Sequence, residues 1–150
     1  HYLVECDIKD EVPETSTYSA EQIEKANNAL EGFKQWKRAY KPKFLGIELV
    51  LVDDELEVGG TADQIAKIGG QVVVGDIKSS KFLYDEHIIQ LGAYCHMYER
   101  MQPKAKIEYG YVLRLDKETG AFTHHNISRK QLDWGWKVFL CCLELDKLKT

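Results

Sequence analysis

Cysteine is scarce and unhelpfully spaced: Cys6, Cys95, Cys141 and Cys142 contain no C-x-x-C, and adjacent Cys141 and Cys142 point in different directions on a helix. That argues against a zinc ribbon or a disulfide framework. The thiols read as reduced and mostly structural, and no iron–sulfur cluster is expected. Long apolar runs are missing too, since none approaches the roughly eighteen residues of a membrane span. The N-terminus lacks the basic-then-apolar order of a secretory signal. Nothing points out of the cytosol, so a cytoplasmic protein without a membrane partner is expected, in the host cytoplasm if the source is viral, with an organelle matrix also compatible. Positive charge is in short supply. At a formal net charge of −4 the chain exerts no global attraction on nucleic acid, so a polyanion would need a local basic surface or bound cations. No G-x-x-x-x-G-K-[ST] occurs, and no G-x-G-x-x-G follows a strand, which leaves an ATPase or a dinucleotide enzyme without support. Repeats, low-complexity tracts and internal linkers are absent as well.

What is present is a chain of 150 residues, 44% hydrophobic and 11% aromatic, enough for one domain with a real core. It begins at His1, which is compatible with truncation at the N-terminus. Ile23, Ala26, Leu30, Phe33 and Trp36 at helical spacing, with Ser19 as cap, predict a helix from Ser19 to about Tyr40, ended by Lys41-Pro42. "FLGIELVLV" reads as a strand, Asp53-Asp54 as a turn, "ELEVGGTADQIAKI" as extended chain, Gly69-Gly70 as a second turn and "QVVVGDIK" as a third strand. "EHIIQLGAYCHMYERM" returns to helical period until Pro103 closes it. "KIEYGYVLRLD" and "GAFTHHNIS" form a hairpin around Lys117 to Gly120, and Ser128 caps a final helix. The order is helix, three strands, helix, two strands, helix.

The Gly69-Gly70 pair allows a geometric step, because a two-residue loop of a primed turn type fixes which residues face each other across the hairpin. Ile68 then pairs with Gln71, and counting back sets Asp63 opposite Asp76. Side chains so opposed hold their Cβ atoms about 4.5–5.5 Å apart, where like charges are destabilising unless something neutralises them. Lys78 comes next along the same face. A hard divalent cation such as magnesium or manganese is the simplest neutraliser. A hydrated acid pair at a sheet edge is the alternative.

Asp63, then Asp76-Ile77-Lys78 at the end of the next strand, then Gln90 and Tyr94 as Q-x-x-x-Y on the following helix, resembles the PD-(D/E)XK nuclease superfamily in its RecB-like exonuclease branch. The similarity spans Phe44 to about Glu99. The resemblance implies an α/β fold (α+β with a mixed sheet), a restriction-endonuclease-like core whose central sheet begins antiparallel and is flanked by helices. It implies a metal-dependent DNA nuclease, an exonuclease of recombination, repair or phage DNA processing, with one or two Mg2+ or Mn2+ ions. In those terms Asp63 and Asp76 bind metal, the Ile77 carbonyl completes the metal shell, and Lys78 assists the attacking water and the phosphate. Gln90 and Tyr94 orient the lysine or touch the DNA backbone. DNA, single- or double-stranded, is the partner, and a homo-oligomer or a helicase or recombination partner is compatible. A catalytically inactive nucleic-acid or protein-binding module on the same fold is the competing reading, although the intact Asp63, Asp76 and Lys78 set favours the enzyme.

Two more positions resemble the family. Glu48 matches an acid on the preceding strand; with a turn at Asp53-Asp54 it faces Gly59, about 13 Å along the sheet from Asp63 at the usual rise per residue, too far for a shared ion. A strand glutamate on a solvated face is the plain alternative. His1 resembles a histidine that ligates metal from a helix upstream of the first strand, and its place also fits a truncated end or a tag remnant. Ser79, Ser80 and Lys81 follow the strand as a loop able to hydrogen-bond a neighbouring phosphate, and Lys81, Arg100, Lys104, Arg129 and Lys130 are candidates for a basic rim. Cys95-His96 does not read as a nucleophile with its base, since neighbours on a helix diverge by about 100°. Cys95 is expected in the core.

Overall fold

The computed structural model describes residues 1–79 and 82–149. In chain order these form α1 (Tyr2–Lys9), α2 (Ala20–Tyr40), β1 (Lys43–Asp53), β2 (Val58–Ile68), β3 (Gln71–Lys78), α3 (Asp85–Met101), β4 (Tyr109–Leu115), β5 (Phe122–Ser128) and α4 (Arg129–Lys147). Reciprocal capping boxes start both long outer helices: Ser19 and Gln22 bond each other's backbone N–H at α2, and Ser128 and Gln131 do the same at α4. Lys41, in a left-handed conformation, ends α2 just before Pro42.

Gly69 and Gly70 take positive φ angles of 58° and 81°, and the two-residue turn they make pairs Ile68 with Gln71, as the hairpin argument requires. The sheet has the order β1-β2-β3-β4-β5. Every neighbouring pair is antiparallel except β3 and β4, which run parallel with α3 as their crossover. The mixed α+β architecture expected from the sequence is therefore present.

Side-chain alternation along the central strands divides the core in two. On one face Val73, Ile77, Tyr111 and Leu113 pack with Phe33 and Trp36 of α2 and Val4 of α1. On the other, Ile65, Val74 and Val112 pack with Ile88, Leu91 and Cys95 of α3 and Leu132 of α4. The strand positions that carry Asp76 and Lys78 share this second face with Val74, by the two-residue period. α3 lies close against α4 because both are glycine at the crossing. A β-carbon on Gly92 would strike the Leu132 carbonyl oxygen and come 2.7 Å from the Trp136 nitrogen, and one on Gly135 would strike the Ile88 carbonyl. No helix among the described residues is long and apolar enough to cross a membrane.

Two expectations are corrected. The first hairpin does not turn at Asp53-Asp54: Asp53 is still in β1, paired with Val58, and the turn occupies 54–57. Asp53 is buried, takes Arg100 of α3 as its ion-pair partner and accepts the Leu56 N–H at 3.0 Å, which pins the turn. The second correction is α1, a helix the element order omitted. It is eight residues long, docked through Val4 and Cys6 and by the ion pair of Asp7 with Lys37.

Candidate active site

The β2–β3 ladder runs from Ile68–Gln71 to Gln64–Gly75 and stops one step before the acids. There Asp63 replaces the ladder with its side chain: Oδ2 accepts the Ile77 N–H at 2.9 Å. The Asp63 and Asp76 carboxylates are close enough for each to shift the other's ionisation. Asp76 is 4% exposed, and its Oδ2 is buried without a hydrogen-bond partner. The Lys78 ammonium lies 3.0 Å from that oxygen, an ion pair by distance that lacks hydrogen-bond geometry. His1, at the N-cap of α1, closes the other side: its Nε2–H donates to the Ile77 carbonyl at 2.8 Å and stands 3.6 Å from Asp63 Oδ2. The structure thus brings together Asp63, Asp76, Ile77, Lys78 and His1.

Burial, and then the neighbouring Asp63 carboxylate, push the Asp76 carboxyl well up from the usual range, and Lys78 only partly offsets them. Burial would raise Asp63 too, but hydrogen bonds from His1, Asp76 and the Ile77 N–H outweigh it and hold that carboxyl down. The pair therefore divides its roles, Asp63 ionised and Asp76 retaining a proton near neutrality. The hydrogen bond to Asp63 raises the His1 imidazole to about 8.

Glu48 is where the sequence reading of geometry fails. With the turn at 54–57, the register moves by four residues. Glu48 then falls between the Ile47–Gln64 and Leu49–Ala62 pairs, level with Asp63 instead of facing Gly59. Its backbone is left-handed, φ 46°, and the strand's facing reverses across it: Ile47 lies beside Val4 and Ile8 of α1, whereas Leu49 and Leu51 pack toward α3. Burial, followed by the Asp63 charge, raises the Glu48 carboxyl. A non-glycine residue held so costs about 1–2 kcal/mol. Glu48→Gly is accordingly expected to leave the melting temperature unchanged or raised, because glycine adopts this φ freely, while any activity that uses the carboxylate falls. Thermal melts beside the nuclease assay below check the separation.

Gln90 and Tyr94 sit one turn apart on α3, and Gln90 Nε2 donates to the Tyr94 hydroxyl at 3.0 Å. Burial first, with Asp76 and Asp63 adding to it, raises the Tyr94 phenol, so it remains a donor beside the acids. Gly60 leaves room for the ring, since a β-carbon there would come 2.8 Å from Tyr94 Cε1. Ser79 directly follows β3, and Ser80 and Lys81 lie outside the described residues. Two members of the expected basic rim are instead engaged within the fold: Arg100 with Asp53 and Glu55, and Arg129 with Glu99 and Asp133. Sequence reasoning missed Gln64, buried behind Asp63, whose amide oxygen accepts the Tyr111 hydroxyl and whose nitrogen has no partner. A polar residue amid Ala62, Ile65 and Ala66 was its only signal.

Cys95, His96 and Glu99 place donor atoms within 4.8 Å of one another, yet they do not form a metal site. Both Glu99 oxygens bind Arg129, at 2.7 and 2.9 Å, His96 Nε2 is 2.8 Å from Asp133, and burial lifts the Cys95 thiol to about 12. The acid pair is the better host. An orphaned buried carboxylate oxygen, a second carboxylate, a backbone carbonyl and an imidazole make an oxygen-rich donor set that fits a hard divalent ion.

Comparison with known proteins agrees in kind. Residues 3–136 match the model of the PD-(D/E)XK nuclease superfamily, whose nucleases generally use divalent metal ions. A search of the curated proteins finds no match. The matched span runs from α1 into α4 and contains both strand-end acids, and on that extent of agreement the chain belongs to the PD-(D/E)XK nuclease superfamily.

Proposed function

We propose that the chain is a magnesium- or manganese-dependent deoxyribonuclease, an exonuclease acting in recombination, repair or phage DNA processing. One observation carries the reading: the buried Asp76 carboxylate, one oxygen of which has no hydrogen bond, stands beside the partly buried Asp63 carboxylate, and a lysine stands 3.0 Å from that oxygen. Ionising both acids at once is unfavourable there unless a cation joins them. Asp63, Asp76, the Ile77 carbonyl and His1 would hold one ion, and Glu48, level with Asp63 in the β1–β2 register, would serve a second. When bound, such an ion supplies Lewis-acid polarisation of a phosphoryl oxygen and lowers the pKa of a water.

The remaining work falls to the chain. Lys78 places its ammonium where negative charge develops on the phosphoryl oxygens. Gln90 occupies the Tyr94 oxygen from one side, so the phenol proton is directed elsewhere, toward a phosphate oxygen of the substrate. Ser79 adds a hydroxyl after the strand. The test is degradation of labelled single- and double-stranded DNA with Mg2+ or Mn2+, scored for ends and internal cuts. Asp76→Ala and Lys78→Ala are each expected to lose at least about a hundredfold in rate while remaining folded. Metal binding without cleavage of any DNA would turn the reading to a binding module.

A further inference from the structure

Beside the acid cluster lies a larger hollow whose walls are of a different character. A cavity of about 370 Å3 opens between α1, α2 and the ends of β3 and β4. It shares His1, Ile77 and Lys78 with the acid cluster, so the two adjoin, although neither Asp63 nor Asp76 lines the hollow itself. Its α2 wall is mostly apolar, with Ile23, Ala26 and Ala29 beside Gln22 and Lys25, and Leu115 of β4 also lines it. Tyr2 and Tyr18, 43% and 48% exposed, also line it. Lys25 reaches the lining but is held by Glu21 and Glu118, at 3.4 and 3.5 Å, which makes that end inhospitable to a phosphate. The volume falls within the range of about 300–1,000 Å3 that holds small ligands.

Apolar walls with aromatic rings, and Lys78 on the lining next to the acid cluster, suit a flat uncharged group joined to an anionic one; Lys117, on the lining after Leu115, is a second cation. We propose that this cavity receives the base and sugar of an unpaired nucleotide adjoining the scissile phosphate, with the phosphate turned toward Lys78. The inference rests on the nuclease reading and narrows it to an unpaired, unstacked substrate end: a base inserted between α1 and α2 cannot remain in a duplex stack.

Direct binding tests it apart from catalysis, using the full chain without metal. Calorimetric titration is expected to show deoxyadenosine 5′-monophosphate binding at least about tenfold tighter than 2-deoxyribose 5-phosphate, because the base supplies the contact. Ala26→Phe, which fills the hollow from α2, is expected to erase that preference, and Tyr18→Ala at its lip to reduce it; the second variant serves if the first does not fold. Equal binding of the two probes, or an undiminished preference in the folded variants, overturns the inference. Cleavage of DNA by a chain without the preference sinks the cavity proposal alone. The preference in a chain that cleaves nothing supports the cavity and sinks the nuclease reading.

Discussion

Asp76→Asn is expected to abolish metal-dependent cleavage, by at least about a thousandfold, and at the same time to make the metal-free protein more stable. The carboxyl is 4% exposed and lies beside Asp63, and its folded pKa stands at about 7. For an acid whose folded pKa is raised, the folded state binds more protons than the unfolded between about 4 and 7, so stability falls as pH rises through that window. His1 adds a slope of the same sign. Its folded value of about 8 exceeds the ordinary 6.5, so its contribution is complete below 6.5 and disappears as pH passes 8. Metal-free wild type should thus melt progressively lower from pH 5 to pH 8, while divalent metal restores stability at the upper end. Asparagine removes the Asp76 part of the slope, an effect on the order of 4 kcal/mol at pH 8. Melting curves in chelator across that range, with the nuclease assay alongside, decide it. An unchanged slope would mean that Asp76 is not the group kept protonated.

Gly92→Ala and Gly135→Ala are expected to lose about 3 kcal/mol each, although alanine in an exposed helix gains about 1 kcal/mol over glycine. The sign reverses because the new methyl group meets backbone, the Leu132 carbonyl in one case and the Ile88 carbonyl in the other, and backbone cannot rotate aside as a side chain would. Once either substitution has forced the helices apart the second should cost less, so the double variant should fall short of the sum. Activity should drop further than stability alone accounts for, since α3 carries Gln90 and Tyr94 over the strand ends. Denaturant titration of the two single variants and the double variant measures both points.

Some of this site was legible because its geometry is local. Gly69-Gly70 dictates a two-residue turn, and from it the opposition of Asp63 and Asp76 follows by counting. Ser19 and Ser128 were likewise readable as caps, and the structure adds the glutamine three residues on that completes each capping box. The β1–β2 register was not legible. "DD" resembles a turn, but Asp53 is retained in the strand by Arg100, a partner 47 residues away, and the turn closes with Glu57 in a left-handed conformation normally given to glycine. The same blindness to distant partners made Arg100 and Arg129 look like free surface cations. Glu48, an acid in an apolar strand, was noticed for its incongruity and then misplaced by that one turn.

One wall of the centre hangs on a short segment. His1 reaches the Ile77 carbonyl across 76 positions of sequence, yet α1 is secured mainly by Val4, Cys6 and the Asp7–Lys37 pair. α1 is therefore what holds the imidazole beside the acids, so weakening its packing against α2 would withdraw His1 from the site before it disturbed the sheet. A cation held by His1 on one side and the strand-end acids on the other would bind that helix to the sheet, so metal would stiffen the join.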